Sequence, residues 1–478
     1  MSVADATQSD FDEFSWQTFL ALNAPEVGGR VSATGDNPVQ WAAWSSTPDL
    51  LNQGANPGPS GSRYYPDACV AAYPGTFERY RVLDQVGKVD DSFEEATTTG
   101  LSKSPVIDAG GNFLRYEILV SPATYDDVVA KGYNIAANLE AMDSPPVEDV
   151  NVICGDAAYT GGDPANPASG ALSLKVAWMD VSDGGPPGYD TGRFHTEELL
   201  VFTPAYRNLP VTPGAEQVAS CELRTMAMVG MHINHKTLKQ PAWVWSTFEH
   251  VDNAPDCGAI PSGPGGRLST TCPASVGQGY SFYPLACADG SEPGACNDNC
   301  NTPPASNDLN SPQICENPDV SDDIAWCVNE PPNPSRGLSR ICRQLPLAAH
   351  YPDAHDWNQE CATALGADSV WSNYVLVSTQ WVNEDLGGSQ CKTVARELYQ
   401  WKASAEQWVV NPVVIEPKVS AAGGRPILGN TSMESYEKSN CMGCHAKSFF
   451  GGTLRAEDDN FASTDFMYWL KLEVPEAP

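Results

Sequence analysis

Eight of the chain's fifteen cysteines fall between Cys257 and Cys342. The stretch around them is crowded with Pro, Gly, Asn and Asp and sustains neither the period of a strand nor that of a helix. A segment with so little apolar side chain cannot hold itself by burial and needs covalent staples. The cysteines therefore predict a disulfide-bonded, loop-rich region over 255–345 and an oxidising compartment. Two of the fifteen, Cys441 and Cys444, belong to a different pattern. The other thirteen are an odd number, so at least one thiol is expected to stay out of intrachain pairing.

The different pattern lies in SNCMGCHAKS (439–448). Cys441, Cys444 and His445 have C-x-x-C-H spacing, the attachment signature of c-type haem. Two thiols three positions apart lie within one helical turn, and each can add to a vinyl group of the same porphyrin. The adjacent His then falls under the iron as proximal ligand. With 15 Cys and 7 His in 478 residues, chance predicts about 0.007 such matches. A redox C-x-x-C belongs near a βαβ pattern, which the chain lacks. A zinc site needs a partner knuckle, and there is no second C-x-x-C. Only residues 446–478 follow His445, too few to enclose a haem. The preceding chain is expected to form the second wall, with the haem at an interface.

Sixty acidic against 27 basic residues give a net charge of −33. Phosphate binding needs a basic footprint, so nucleic acid is excluded as a partner. The charge fits solubility in a salty or acidic exterior. No apolar run of about 18 residues predicts a membrane span. The opening MSVADATQSDFDEF has neither a basic n-region nor an apolar h-region, so a secretory leader is expected to have preceded it.

Asp10 to Asn23 reads as a docking helix opened by an Asp10/Glu13 capping box. From 112 to 255 the pattern is β: 113–120, 172–181, 193–203, 221–233 and 242–251 are β-rich runs divided by turn residues. Helical signals return over 357–383 and 393–408. A further T-x-x-E cap, Thr431 and Glu434, is expected to open a short helix leading into the C-x-x-C-H motif. The fold class predicted is α+β. A large β-rich domain (1–345), an antiparallel sheet or sandwich, includes the Cys-rich loops. A helical connecting region (346–424) and a small C-terminal helical segment (425–478) follow. The chain contains no P-loop, no dinucleotide fingerprint, no nucleophile elbow and no H-E-x-x-H.

At Cys441–His445 the chain resembles c-type cytochromes. FSWQTFLALN and MHINHKTLKQPAWVWSTFEHVDNAP are similar to segments of secreted bacterial proteins that end in a single C-x-x-C-H. The first resemblance implies haem c and a periplasmic or secreted protein. Electron transfer with a redox partner protein or a small-molecule donor or acceptor is the leading expectation. A haem enzyme, peroxidase-like or oxygenase-like, with an open distal site is the alternative, and a haem-based sensor or binding protein is the third. Small carrier cytochromes have a longer tail that supplies a Met to the iron, which leaves the sixth ligand open here.

The sixth ligand divides these readings, since a filled position favours electron transfer and an empty one permits small-molecule chemistry. Met467 lies 22 residues past His445 and can return across the haem, or can serve the apolar cluster of Phe466, Trp469 and Leu470. His232 and His235 end a strand, where residues three apart face opposite sides, so one of them at most reaches the iron. With an open site, His232, His235 or His250 would act as distal acid or base. His195 reads as structural. Trp243 and Trp245 share a strand face and form either core, a sugar platform or a haem wall. Acidic loops at 297–310 and 457–465 are candidates for Ca²⁺, though neither matches an EF-hand and both fit solvated loops.

Overall fold

A computed structural model of the chain describes residues 6–23, 26–27, 30–31, 39–51, 57–83, 106–142, 150–155, 170–185, 190–203, 206–208, 216–258, 271–285, 287, 300–301, 314–316, 324–326, 340–382, 399–402, 407–410, 415–416, 429–434, 441, 445 and 467. Nine strands make the principal sheet: β1 (Ser45–Ser46), β2 (Val82–Leu83), β3 (Arg115–Val120), β4 (Leu172–Asp180), β5 (Thr196–Thr203), β6 (Ser220–His235), β7 (Val244–His250), β8 (Tyr374–Val382) and β9 (Ile415–Glu416). Their order is β9-β8-β7-β6-β4-β3-β1, with β5 also on β6 and β2 on β5. The long β6 takes two partners in succession, β5 along 220–227 and β7 along 230–235. A bulge between Met228 and Gly230 interrupts its pairing with β4, where bulged strands bend. All pairs are antiparallel except β2 with β5, so the sheet is curled and mixed, and α+β is the right class.

Each of the five expected β runs contains a strand. The helical expectation over 357–383 is half corrected. Helix α3 (Pro352–Leu365) ends before Gly366, and 374–382 forms β8. Likewise Tyr399–Lys402 and Gln407–Val410 are paired strands, not helix. Trp, Tyr, Val and Thr crowd these runs, and such residues pack well on a pleated surface.

One face of the sheet is covered by α1 (Gln8–Asn23), joined by α3. Phe11, Ser15, Trp16, Phe19 and Leu22 are buried at helical spacing. Phe19 stacks on Phe248 of β7 with ring centroids 4.3 Å apart. The cap lies one turn earlier than the sequence suggests. Thr7 Oγ1 accepts from Asp10 N, while Asp10 Oδ2 accepts from Thr7 N at 2.7 Å, so the box is Thr7/Asp10. Asn358 stitches three elements, accepting from Trp16 Nε1 at 2.9 Å and bonding both backbone groups of Leu376.

Asp12, on the same helix, is fully buried. Burial pushes its carboxyl up to about 7, only partly offset by hydrogen bonds from Thr379 and Gln8. Between about pH 4 and 7 the folded chain holds a proton there that the unfolded chain has released. Stability is therefore lost as pH rises to about 7 and is flat above it. Asp12→Asn keeps the shape without the ionisation. It is expected to gain on the order of 2 kcal/mol at pH 8 and little at pH 4. Equal gains at both pH values in thermal melts would contradict this.

Three disulfides are described: Cys69–Cys221, which ties helix α2 (Asp67–Ala72) to β6, and Cys257–Cys342 and Cys272–Cys300 in the Cys-rich region. Closing loops of 152, 85 and 28 residues, they restrict the unfolded chain by roughly 3.5 to 5 kcal/mol each in the loop-entropy account. Cys154 and Cys287 are disulfide-bonded as well. Cys361 on α3 is a free thiol, in keeping with the odd count, and burial pushes it up to about 11. Among the described residues no helix is long and apolar enough to cross a membrane.

Candidate haem-binding face

The face of the sheet opposite α1 carries the candidate site. Cross-strand register puts Gly230, His232 and Asn234 of β6 directly opposite Glu249, Thr247 and Trp245 of β7. Lys175 and Ser173 of β4, then Ile118 and Val120 of β3, continue the same face. The β6–β7 turn is tight. Gln240 N donates to Thr237 O and Oγ1, and Trp243 N donates to Gln240 O at 3.0 Å. Trp243 sits at φ +69°, in the left-handed region, which for a bulky side chain costs of the order of 1–3 kcal/mol and persists only when surroundings over-determine it. Here the surroundings are an apolar cluster of Trp243, Trp245, Ile118, Val120, Tyr125 and Met467.

The C-terminal segment descends onto this face at Asn430–Glu434. Asn430 Nδ2 donates to Phe248 O and Thr247 Oγ1, and its Oδ1 accepts from Ser432 N. Thr431 donates both N–H and hydroxyl to Glu249 Oε2 at 2.7 Å. Tyr116 of β3 donates to Ser432 O. Glu249 is buried and ion-paired with Arg343, which is held in place by a bond to Ala254 O and by the neighbouring Cys257–Cys342 disulfide. Asn430, not Thr431, closes the turn at 431–433 with its side chain, and Thr431 is drawn to the buried carboxylate. The helix expected beyond Glu434 lies outside the described residues.

Cys441 and His445 both have helical backbone. The sulfur of Cys441 is in no disulfide. It packs against the Trp243–Trp245 cluster and the main core, beside buried Tyr351. Burial pushes the Tyr351 phenol up, and the Cys441 thiol adds to the shift. The His445 ring lies 4.4 Å from the Trp245 ring, tilted 45°. Met467, 4% exposed, belongs to the same cluster as Trp245. Three of the residues singled out from sequence therefore meet one apolar wall, and Trp245 belongs to it. Cys444 lies outside the described residues.

The two strand histidines separate as their spacing requires. His232 lies on the candidate face, its Nε2 2.9 Å from Glu434 Oε1 of the descending segment. His235 lies on the opposite face, buried and stacked on Phe14 of α1 at 5.5 Å. His250 is locked in the fold. Asp252 N donates to its Nδ1, which fixes the proton on Nε2, and Nε2 donates to Arg193 O. Burial lowers its pKa to about 3, so it stays neutral. His195 bonds Glu197 at 3.0 Å in a separate buried cluster. Among the described residues no three His, Cys, Asp or Glu side chains gather as a metal site. Of the acidic loops, only Cys300 and Asn301 are described; Asn301 donates to Cys342 O, a structural role.

Sequence reasoning missed Gly230, Glu249, Arg343 and Asn430, which dock the segment. Gly230 carried the one local sign, a glycine inside a strand, which marks a bulge or a close backbone approach. No protein-family model, curated protein or solved structure matches the chain.

Proposed function

We propose that the chain is an extracytoplasmic monohaem c-type protein that transfers single electrons to and from a redox partner. Cys441 and Cys444 would hold the haem covalently, with His445 as proximal ligand. The observation that carries the reading is the meeting of Cys441, His445 and Met467 on one apolar wall. Imidazole and thioether donors in apolar surroundings fit haem iron, and axial Met/His ligation raises the potential of such an iron. Bound haem c supplies a one-electron ferric/ferrous couple. The chain's own part is to exclude water with Trp243, Trp245 and Ile118 and to present donors from the descending segment.

Met467 is the preferred second donor. His232 Nε2 faces the Glu434 carboxylate, and His235 is turned to the other face of β6 and stacked on Phe14. Disulfides and the described helices are compatible with an exterior location. The chain produced with a cytochrome c maturation system is expected to show the weak near-infrared sulfur-to-iron band when ferric. It should be inert to CO when ferrous. Met467→Ala should abolish the band and open the iron to CO. Rapid CO binding by the unmutated protein would instead support a haem enzyme with an open distal position. Loss of the low-spin spectrum in His232→Ala, with Met467→Ala unaffected, would move the ligand to His232.

A further inference from the structure

We infer that Trp245 is a positioning residue for His445, its indole setting the plane in which the imidazole stands. The inference rests on the haem reading above. Covalent attachment through the adjacent cysteines would fix where His445 begins, but not the rotation of its ring. The last torsion of a His side chain joins sp³ to sp² carbon and has broad minima. Contacts outside the ligand itself usually fix such a ring and tune the metal. The contact here is a ring at 4.4 Å, tilted 45°.

That ring is itself anchored. Trp245 is 3% exposed, and its Nε1 donates to Ala242 O at 3.0 Å, three residues earlier. Ala242 is buried and precedes Trp243, the residue with positive φ. The backbone strain of the β6–β7 turn and the rotamer of the indole are thereby coupled. If the indole swung away, it would lose its acceptor and leave the wall. A core-filling role would be met by any large apolar side chain at 245. A positioning role needs a flat ring held by its N–H, and this difference makes the inference testable.

The full chain, matured with haem, is compared with Trp245→Phe and Trp245→Leu. Haem content by pyridine haemochrome is expected to be the same in all three. The largest g value of the ferric low-spin signal and the midpoint potential are expected to shift in both variants, more in Trp245→Leu. Phe keeps a ring but loses the anchor. Should Trp245→Leu fail to fold, Trp245→Phe decides alone. Unmoved g values and potential in a haem-loaded variant overturn the inference and leave the proposed function standing. Absence of covalent haem in the unmutated chain overturns both.

Discussion

Arg81→Met is expected to destabilise the fold by about 3–5 kcal/mol, the range for removing one partner of a buried ion pair. Arg81 is 6% exposed and bridges two carboxylates. Its Nη2 lies 3.1 Å from Glu117 Oε1, and its Nη1 lies 2.7 Å from Glu197 Oε2. The short parallel strand β2 puts it there, with Leu200 N donating to Arg81 O. The guanidinium also lies 5.0 Å from the Trp41 ring, and Trp178 Nε1 donates to Glu117. Burial works against the charge on Arg81, but Glu117 and Glu197 outweigh it. Burial alone would raise Glu197, yet Arg81 and His195 hold it down at about 2.

In the unmutated chain, Glu197's depressed pKa contributes stability that is present above about pH 4.5 and lost as pH falls toward 2. Without Arg81 the sign reverses. Buried Glu117 and part-buried Glu197 then lose the cation they share, and protonating one relieves them. The deficit of Arg81→Met should shrink between pH 8 and pH 5. Adding Glu117→Gln should recover part of it, because the amide oxygen still accepts from Trp178. Chemical denaturation at both pH values checks this, and a deficit under 1 kcal/mol at pH 8 contradicts the role.

Gly230→Ala is expected to lift the C-terminal segment from the sheet. A Cβ at 230 would sit inside van der Waals contact with Ser432 Oγ and close to Asn430 Oδ1. Ser432 is fully buried, and its hydroxyl is committed to Asn430 at 2.6 Å, so turning it away breaks that bond. Overpacking of this kind costs about 1–3 kcal/mol. Ser432→Ala removes the clashing oxygen, and the double variant should recover most of the loss, a coupling expected only between residues in contact. Amide exchange of Thr431 and Met433 reads the docking directly. A Gly230→Ala protein with wild-type protection there would contradict the close approach.

The β framework was legible because runs such as 113–120 and 242–251 are dense in β-branched and aromatic residues. The strand β8 was not. Val375, Val377 and Thr379 alternate with Leu376, Ser378 and Gln380, and all but one of these six are buried. A strand covered on both faces loses the polar alternation that would have marked it. The C-x-x-C-H pattern was legible because the haem attachment it predicts would be local chemistry, written in five consecutive residues. Trp245 stood out as one of a same-face aromatic pair. The docking clamp did not, because Glu249 and Thr431 are 182 residues apart and meet only once the sheet has formed. Thr431 looked like a helix cap for the same reason, since its competing partner is remote in sequence.

We propose that one covalent haem is held between the C-terminal segment and the sheet. It is tested by cutting the matured protein at a protease site placed within 417–428 and following haem absorbance on gel filtration without denaturant. Haem should remain covalently on the C-terminal fragment, as denaturing gels would reveal, yet elute with the body of the protein and keep its low-spin spectrum. A small fragment that separates with its haem spectrum intact would contradict the claim, as would a protein that carries no haem.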